Sequence, residues 1–224
     1  MFDRLEKLIG SDELVKIKKK NILLVGIGGV GGITLEMLVR SGIQNITIID
    51  YDTFEESNLN RQILSDVNSI GKEKVVVAKE KMAMINNECK INVLNLKLDD
   101  LTVNDLPINY DYIIDAIDDV NAKIHLLKFA IKNNIKIISS MGTANKIDPT
   151  KLCITNIWKT VNDPLAKKIR NTLRKEKINY KLKVVSSTEL PKKSSTYVLP
   201  SMAMVPNAAG ILLASYVIND IIQN

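Results

Sequence analysis

The residues whose types and spacing best suit chemistry form a glycine-rich segment near the start of the chain. Gly26, Gly28, Gly29 and Gly31 follow an apolar run and precede a helical pattern. Without Cβ atoms, the backbone turns tightly and approaches a phosphate, and the first N–H groups of the next helix attract an anion. The pattern therefore predicts a phosphate-binding loop.

Two carboxylates follow this loop at a distance typical of nucleotide sites. Asp50 ends the second apolar run, about twenty residues after the loop, where a carboxylate binds ribose hydroxyls. Asp52 lies two residues further on and is included in the candidate nucleotide site. Loop and carboxylates together predict an adenine nucleotide, for which a nicotinamide dinucleotide is the usual interpretation.

Cationic residues further along the chain argue against a dinucleotide. Arg61 follows Asn58 and is followed by Gln62, while Lys72 and Lys74 lie at the start of the next predicted helix. Cations oppose the helix dipole at that end, so an anion is expected there. Arg61 and Lys74 are suited to clamp a triphosphate, which the diphosphate of a dinucleotide does not require. We interpret the site as one for ATP.

A pair of aspartates follows the fourth predicted strand. Asp118 and Asp119 would lie at the carboxyl edge of a parallel sheet, where ligands bind in this architecture. A carboxylate there suits a magnesium ion that bridges phosphates, but either aspartate could instead cap the following helix. We favour magnesium for Asp118 and capping for Asp119.

Short apolar runs that alternate with helical patterns must position these residues. The pattern predicts an α/β, Rossmann-like, doubly wound and mainly parallel sheet, with a basic C-terminal extension packed on the same domain. We expect one domain over 1–224, made of a nucleotide-binding core (1–140), a substrate-facing extension (141–200) and a C-terminal helix (201–224). The predicted strands are 21–25, 46–50, 91–96, 111–116, 135–139, 154–158 and 180–186. The predicted helices are 30–41, 72–87, 120–134, 164–177 and 202–222, and 189–197 is expected to be a mobile loop.

Composition excludes several kinds of site. Cys89 and Cys153 cannot build a disulfide framework and show no paired zinc spacing, and His125 is the only histidine. We expect Cys153 to be a buried small residue rather than a nucleophile.

Neither end of the chain has the sequence pattern of a signal peptide or of a membrane-spanning helix. The charged N-terminus does not resemble a signal peptide, so the protein is expected to be cytoplasmic. The apolar segment 202–222 is interrupted by Pro206, Asn207, Asn219 and Asp220, which favours a buried helix over a membrane span.

Positive charge is concentrated in one stretch of the chain. Residues 151–193 contain twelve lysines and arginines against three acidic residues, a net +9, whereas the whole chain carries +6. Such a stretch attracts a polyanion, although a solvated lysine-rich face has the same composition.

The order and spacing of these motifs resemble the ubiquitin-activating-enzyme-like adenylating superfamily. The resemblance implies that Asp50 binds ribose, that Asn58, Arg61 and Lys74 contact the triphosphate, and that Asp118 is associated with the metal. Gln62 belongs to the same motif. Arg4 is similar to an N-terminal arginine that reaches ATP in the neighbouring subunit, which implies a homodimer. Met1 stands where the family has another arginine, and Gly32 where it has a serine or alanine.

The second half of the chain resembles one branch of this superfamily, which dehydrates threonylcarbamoyladenosine in tRNA. The segments that carry this resemblance are 146–150, 157–160, 163–166 and 173–175, together with Arg170. It implies that ATP converts a substrate carboxylate into an acyl-adenylate, that Arg61, Lys74 and magnesium at Asp118 promote the reaction, and that tRNA binds the basic stretch. The implied tRNA-binding residues are Lys159, Lys167, Lys168, Arg170 and Arg174.

Two other functions remain open from the sequence. An enzyme that adenylates the C-terminal glycine of a ubiquitin-like sulfur carrier would share the whole ATP site, and a nucleotide-binding regulator would bind ATP without chemistry. The sequence also leaves open whether a sulfur-relay protein assists and whether a monovalent cation binds near the site.

Overall fold

The computed structural model describes residues 1–193 and 199–223, and its centre is one seven-stranded sheet. The strands are β1 (Asn21–Val25), β2 (Asn45–Ile49), β3 (Lys90–Leu94), β4 (Tyr112–Asp115), β5 (Lys136–Ser140), β6 (Leu152–Asn156) and β7 (Lys183–Ser187). Their order is β3-β2-β1-β4-β5-β7-β6, and every neighbouring pair is parallel except β6 with β7. The predicted mainly parallel α/β sheet is confirmed.

Helices cover both faces of this sheet. They are α1 (Asp3–Ile9), α2 (Ser11–Lys19), α3 (Gly31–Arg40), α4 (Lys74–Ile85), α5 (Val120–Lys132), α6 (Pro164–Lys175) and α7 (Met204–Gln223). Side chains of α2, α3, α4 and α7 form one apolar core, and those of α5 and α6 form the other. Alternate strand residues enter the two cores, because successive side chains of a strand point to opposite faces.

The direction of strand addition reverses between β1 and β4. The chain adds β2 and β3 on one side of β1, and β4 and β5 on the other. The last residue of β1, Val25, pairs with Asp115, the last residue of β4. Ligands of doubly wound folds bind in the crevice at such a point, beyond the carboxyl ends of the strands.

The basic stretch is part of the sheet rather than an appendage to it. Strand β7 pairs in parallel with β5, and β6 forms the antiparallel edge. The sixth strand was predicted at 154–158 but ends at Asn156, because the Asn156 side chain accepts a hydrogen bond from Trp158 N (2.9 Å) and starts a short 3-10 turn. The loop predicted at 189–197 lies partly outside the described residues.

The N-terminal twenty residues form two helices that the sequence analysis did not predict. Gly10 separates α1 from α2 with a φ of 91°, and Leu14 and Ile17 of α2 are buried. Phe2 lies near Gly42, which follows α3, since a Cβ on Gly42 would be 3.9 Å from the Phe2 ring. Helix α1 therefore lies at the amino edge of the sheet, opposite the crevice.

Helix α7 packs along α3. A Cβ on Gly210 would lie 2.3 Å from Val30 O, so the two helices approach closely only because this residue is glycine. By length and composition, α7 is also apolar enough to cross a membrane, and 44% of its most apolar window is buried within the structure.

Candidate functional site

The glycine-rich loop forms the floor of the crevice between β1 and β4. Gly26 has a φ of 90°, and a Cβ there would lie 2.7 Å from Ala116 O in the loop after β4. A Cβ on Gly31 would lie only 1.7 Å from Gly26 O, so the loop closes on itself at this residue. Cβ atoms on Gly28 and Gly29 would meet nothing nearer than 3.9 and 3.4 Å. These two residues leave backbone accessible for a ligand.

Asp50 joins the end of β2 to this loop. Its Oδ2 accepts a hydrogen bond from Ile27 N (2.6 Å), and its Oδ1 accepts one from Asp52 N (2.9 Å). Burial raises the pKa of the Asp50 carboxyl, and the charge of Lys74 partly offsets the effect. Asp50 therefore holds the loop in shape, and its carboxylate has lone pairs left for the ribose hydroxyls proposed from the sequence.

Lys74 and Asp52 form an ion pair beside Asp50. The distance between Lys74 Nζ and Asp52 Oδ2 is 2.9 Å, and Lys74 N also donates to Asp52 O (3.0 Å). The Lys74 side chain is buried, while 47% of the Asp52 side chain is exposed. The structure thus brings together two residues singled out from the sequence, and Asp52 fixes the direction of the ammonium group.

The segment with Asn58 and Arg61 folds into a short 3-10 turn, Glu56–Asn58, near the glycine loop. Asn58 is buried and accepts a hydrogen bond from Glu55 N (3.2 Å), which makes it a cap of this turn. Arg61 donates from its guanidinium to Ser57 O (2.7 Å) and Asn60 Oδ1 (2.9 Å). Local backbone contacts therefore orient Arg61, and the guanidinium keeps further donors for an anion.

Gln62 provides the strongest indication that a polar ligand belongs in the crevice. The side chain is buried beside Gly28, and its Oε1 has no hydrogen-bond partner among the described residues. A buried amide oxygen without a partner costs about 1–3 kcal/mol, so a polar ligand group or water is expected to satisfy it. This feature fits the ATP site inferred from the sequence.

Asp118 and Asp119 have different environments after β4. Asp119 caps α5 by accepting a hydrogen bond from Ala122 N (2.8 Å), as favoured from the sequence. Asp118 is exposed at the carboxyl edge, near Tyr51 after β2. The charges of Asp52 and, to a smaller extent, Asp118 raise the pKa of the Tyr51 hydroxyl.

The magnesium hypothesis rests on Asp118 alone. Among residues 1–193 and 199–223 no three His, Cys, Asp or Glu side chains form a metal-binding group. A magnesium ion commonly binds one or two carboxylates together with substrate phosphates, and Asp118 would supply one such carboxylate.

Two buried lysines at the carboxyl edge were not recognised from the sequence as site residues. Lys123 of α5 pairs with Asp115 at 2.9 Å, and Lys146 lies 3.6 Å from Asp163. Asp163 also caps α6 through Ala166 N (2.9 Å). Lys123 could have been recognised because it lies on the apolar face of a predicted helix, where a buried charge requires a partner.

The second pair anchors the basic helix to the sheet. Asp163 Oδ2 accepts hydrogen bonds from Gly142 N (3.0 Å) after β5 and from Ser186 Oγ (3.1 Å) in β7. Lys146 Nζ donates to Gly142 O (3.0 Å). The first turn of α6 is thereby fixed at the carboxyl edge, on the side of the sheet occupied by β5 and β7.

The residues implied in tRNA binding do not all have the same environment. Lys159, Lys167, Lys168 and Arg174 are exposed. Arg170 is partly buried and donates from its guanidinium to Thr160 O (3.2 Å), to Thr160 Oγ1 and to Ile157 O (3.4 Å), so at least part of its role is structural.

Arg4 and Cys153 lie away from the crevice. Arg4 is exposed on α1, whose preceding residue Phe2 lies near Gly42 at the amino edge of the sheet. Cys153 is partly buried in β6, where its Sγ lies 3.5 Å from Ser186 O.

Comparisons with known proteins point to one family. The model of the ThiF family matches residues 2–222. A Bacillus subtilis protein named tRNA threonylcarbamoyladenosine dehydratase is 36% identical over 241 residues, which cover 100% of this chain and 95% of that protein. The crystal structure of Escherichia coli tRNA N6-threonylcarbamoyladenosine dehydratase, TcdA, in complex with ATP superposes with a TM-score of 0.93 at 32% identity, covering 99% of this chain and 93% of that chain. A Haemophilus influenzae molybdopterin-synthase adenylyltransferase is 30% identical over 142 residues, covering 63% of this chain and 58% of that protein.

Proposed function

Since the chain belongs to the ThiF family, we propose that it catalyses the ATP-dependent dehydration of threonylcarbamoyladenosine in tRNA. The observation that carries this proposal is the similarity along the whole chain to a protein of that name. The glycine loop, Asp50 and the Lys74–Asp52 pair at the crevice support it.

The reaction requires activation of a carboxylate. The threonyl carboxylate of the modified nucleoside is a poor electrophile until one of its oxygens becomes part of a good leaving group. Its attack on the α-phosphorus of ATP gives an acyl-adenylate and pyrophosphate. An atom of the carbamoyl group then bonds to the acyl carbon and the carbamoyl group loses a proton, which closes the ring and expels AMP together with the former carboxylate oxygen. The tRNA thereby loses one water, and ATP supplies the driving force.

The residues of the crevice are suited to bind the nucleotide and to stabilise charge on its phosphates. The backbone around Gly28 approaches the phosphates, Asp50 holds the ribose, and Gln62 offers its unpartnered Oε1 to a polar group of the ligand. Arg61 and Lys74 supply positive charge, which counts for most where water is excluded. The residues fit magnesium at Asp118, where the ion would stabilise negative charge on the phosphates.

The position of Arg4 supports a homodimer in which each subunit completes the other's site. Arg4 lies at the edge of the sheet opposite its own crevice, so it can reach a nucleotide only in a second copy. We accordingly propose that Arg4 contacts ATP in the partner subunit. We also propose a cytoplasmic location, the compartment in which a tRNA substrate is available.

The basic stretch provides a surface for the tRNA backbone. Helix α6 begins at the carboxyl edge, where Asp163 fixes it, and continues away from the crevice with exposed Lys167 and Lys168 in its first turns. Phosphates that follow this helix would lead to the proposed reaction site.

Adenylation of a ubiquitin-like sulfur carrier is less well supported. The molybdopterin-synthase adenylyltransferase matches 63% of the chain, whereas the dehydratase matches all of it. The two functions share the ATP site, so the second half of the chain distinguishes them.

The experiment combines purified protein, ATP, magnesium and tRNA that carries threonylcarbamoyladenosine. We expect AMP and pyrophosphate in equal amounts, and mass spectrometry of the nucleosides should show the loss of one water from the modified adenosine. Unmodified tRNA is the matched control, because it lacks the carboxylate. A preference for NAD over ATP, or pyrophosphate release that requires a small protein instead of tRNA, would contradict the proposal.

A further inference from the structure

A cavity of about 310 Å³ lies beside the C-terminal end of α6. It is lined by Trp158, Leu173, Arg174, Lys177, Ile178 and Asn179. The cavity is at the amino edge of the sheet, because Trp158 follows the end of β6, and Asn156 at that end pairs with Lys183, the first residue of β7. It is therefore separate from the nucleotide crevice.

Two planar side chains in the wall of this cavity form a cation–π pair. The guanidinium carbon of Arg174 lies 5.6 Å from the centroid of the Trp158 ring. Trp158 Nε1 donates to Tyr180 O (3.0 Å), which fixes the orientation of the indole. Both planar groups line the cavity, so the pair offers an aromatic ring and a planar cation to a bound ligand.

A stripe of positive charge runs along α6 from the carboxyl edge of the sheet to this cavity. Lys167, Lys168, Arg174 and Lys175 are the exposed basic residues along one face of α6. The carboxylate of Glu176 just beyond the helix is paired with Lys128 of α5 at 2.6 Å. From Lys167 to Arg174 the helix rises about 10 Å, so a polyanion that lies along it would run from the carboxyl edge of the sheet, where α6 begins, to the cavity.

We propose that this cavity binds an unpaired nucleobase of the tRNA, at a nucleotide other than the one that reacts. The proposal rests on the proposed function, since it takes tRNA as the ligand. Unpaired RNA bases are recognised by stacking on aromatic rings and guanidinium planes, and the backbone by adjacent cations. The Arg174 and Trp158 pair provides the plane, the lysines of α6 bind phosphates, and the exposed Asn179 amide offers a donor and an acceptor to a base edge. An acidic peptide would satisfy the cations but would leave the aromatic ring unused.

The chain carries its own reporter for the test, because Trp158 is its only tryptophan. The purified full chain is titrated without ATP with an RNA stem–loop and, separately, with a fully paired RNA duplex of the same length. We expect the stem–loop to quench the Trp158 emission and the duplex to leave it unchanged. Binding of the stem–loop with unchanged emission would overturn the proposal.

Matched variants separate stacking from charge. Arg174→Lys keeps the charge but removes the planar group, so we expect roughly tenfold weaker binding of the stem–loop and unchanged binding of the duplex. Lys168→Met removes a phosphate contact and should weaken the binding of both RNAs. The affinity of this variant should also depend less on salt concentration. Equal loss for both RNAs in Arg174→Lys would show that Arg174 acts only through its charge, and the proposed base site would be rejected.

The absence of a base site and the absence of the proposed activity would give different experimental results. If the wild-type chain releases AMP and dehydrates modified tRNA, but the stem–loop does not quench Trp158, the cavity is not a base site and the activity stands. If neither tRNA binding nor dehydration occurs, both are rejected.

Discussion

Lys123 and Asp115 form an ion pair in which each side chain is only 2% exposed and Nζ lies 2.9 Å from Oδ2. Lys123 Nζ also donates to Ser139 Oγ (3.0 Å) and Ser140 O (2.8 Å), so all three ammonium protons have acceptors. Asp115 Oδ1 accepts from Ile117 N (3.0 Å), next to Asp118. The pair thus connects α5 and the ends of β4 and β5 to the loop that carries the proposed metal-binding residue.

Removal of one member of this pair should strongly destabilise the fold. Lys123→Met leaves the Asp115 charge buried without its partner, and we expect the free energy of unfolding to fall by about 3–5 kcal/mol in urea denaturation. The control is Lys128→Met on the same helix, whose pair with Glu176 is partly exposed and should contribute less than about 1 kcal/mol. Similar losses in the two variants would show that the buried pair has no special role.

Asp118 and Arg61 should be required for AMP formation but not for folding. Asp118→Ala and Arg61→Ala each remove a group proposed to act on the phosphates, so we expect AMP release to be lost while the unfolding transition is nearly unchanged. In contrast, Asp119→Ala removes a helix cap, costs about 1 kcal/mol, and keeps the activity. AMP release that survives Asp118→Ala would remove the metal role assigned to this residue.

Alanine substitutions at two glycines of the loop should have different effects, one on stability and the other on ATP binding. A Cβ on Gly31 would lie 1.7 Å from Gly26 O, so Gly31→Ala should displace the loop and cost at least about 1–3 kcal/mol of stability. A Cβ on Gly28 would meet nothing nearer than 3.9 Å, so Gly28→Ala should fold normally and bind ATP more weakly. Calorimetry with ATP and thermal unfolding measure the two effects, and unchanged ATP affinity in Gly28→Ala would argue against phosphate contact there.

Arg4 should act on the ATP site of the partner subunit. The Arg4→Ala and Asp118→Ala variants are each expected to have reduced AMP release when assayed alone. A mixture of the two, unfolded and refolded together, should recover about a quarter of the wild-type activity, because half of the dimers form one complete site. Wild-type levels of activity in Arg4→Ala, or no recovery in the mixture, would contradict a role in the partner's site.

Substitution of Cys153 should have almost no effect on activity. Its Sγ contacts Ser186 O in the antiparallel edge of the sheet, away from the crevice, so Cys153→Ala is expected to keep full AMP release. Burial raises the pKa of the other thiol, Cys89, to about 11, so that group should react slowly with iodoacetamide at pH 8. A Cys153→Ala variant that folds but releases no AMP would point to covalent catalysis.

The sequence by itself determined the alternation of strands and helices, and with it the crevice. Residues 21–25 and 120–132 were assigned almost to the residue, because apolar periodicity reports burial directly. The glycine loop, Asp50 and Asp118 were proposed as site residues because the carboxyl ends of parallel strands meet at one edge of a sheet, wherever they occur in the chain. Local signals such as a helix cap also sufficed to assign Asp119.

Only the tertiary structure decided which charges face each other. The sequence gives no distance between Lys123 and Asp115, or between Lys146 and Asp163, because each pair joins elements that meet only after the sheet has formed. The cation–π contact between Arg174 and Trp158 likewise depends on how α6 packs beside the end of β6. Local periodicity specifies which face of an element is buried, but the neighbours that this face meets depend on contacts between residues distant in the chain.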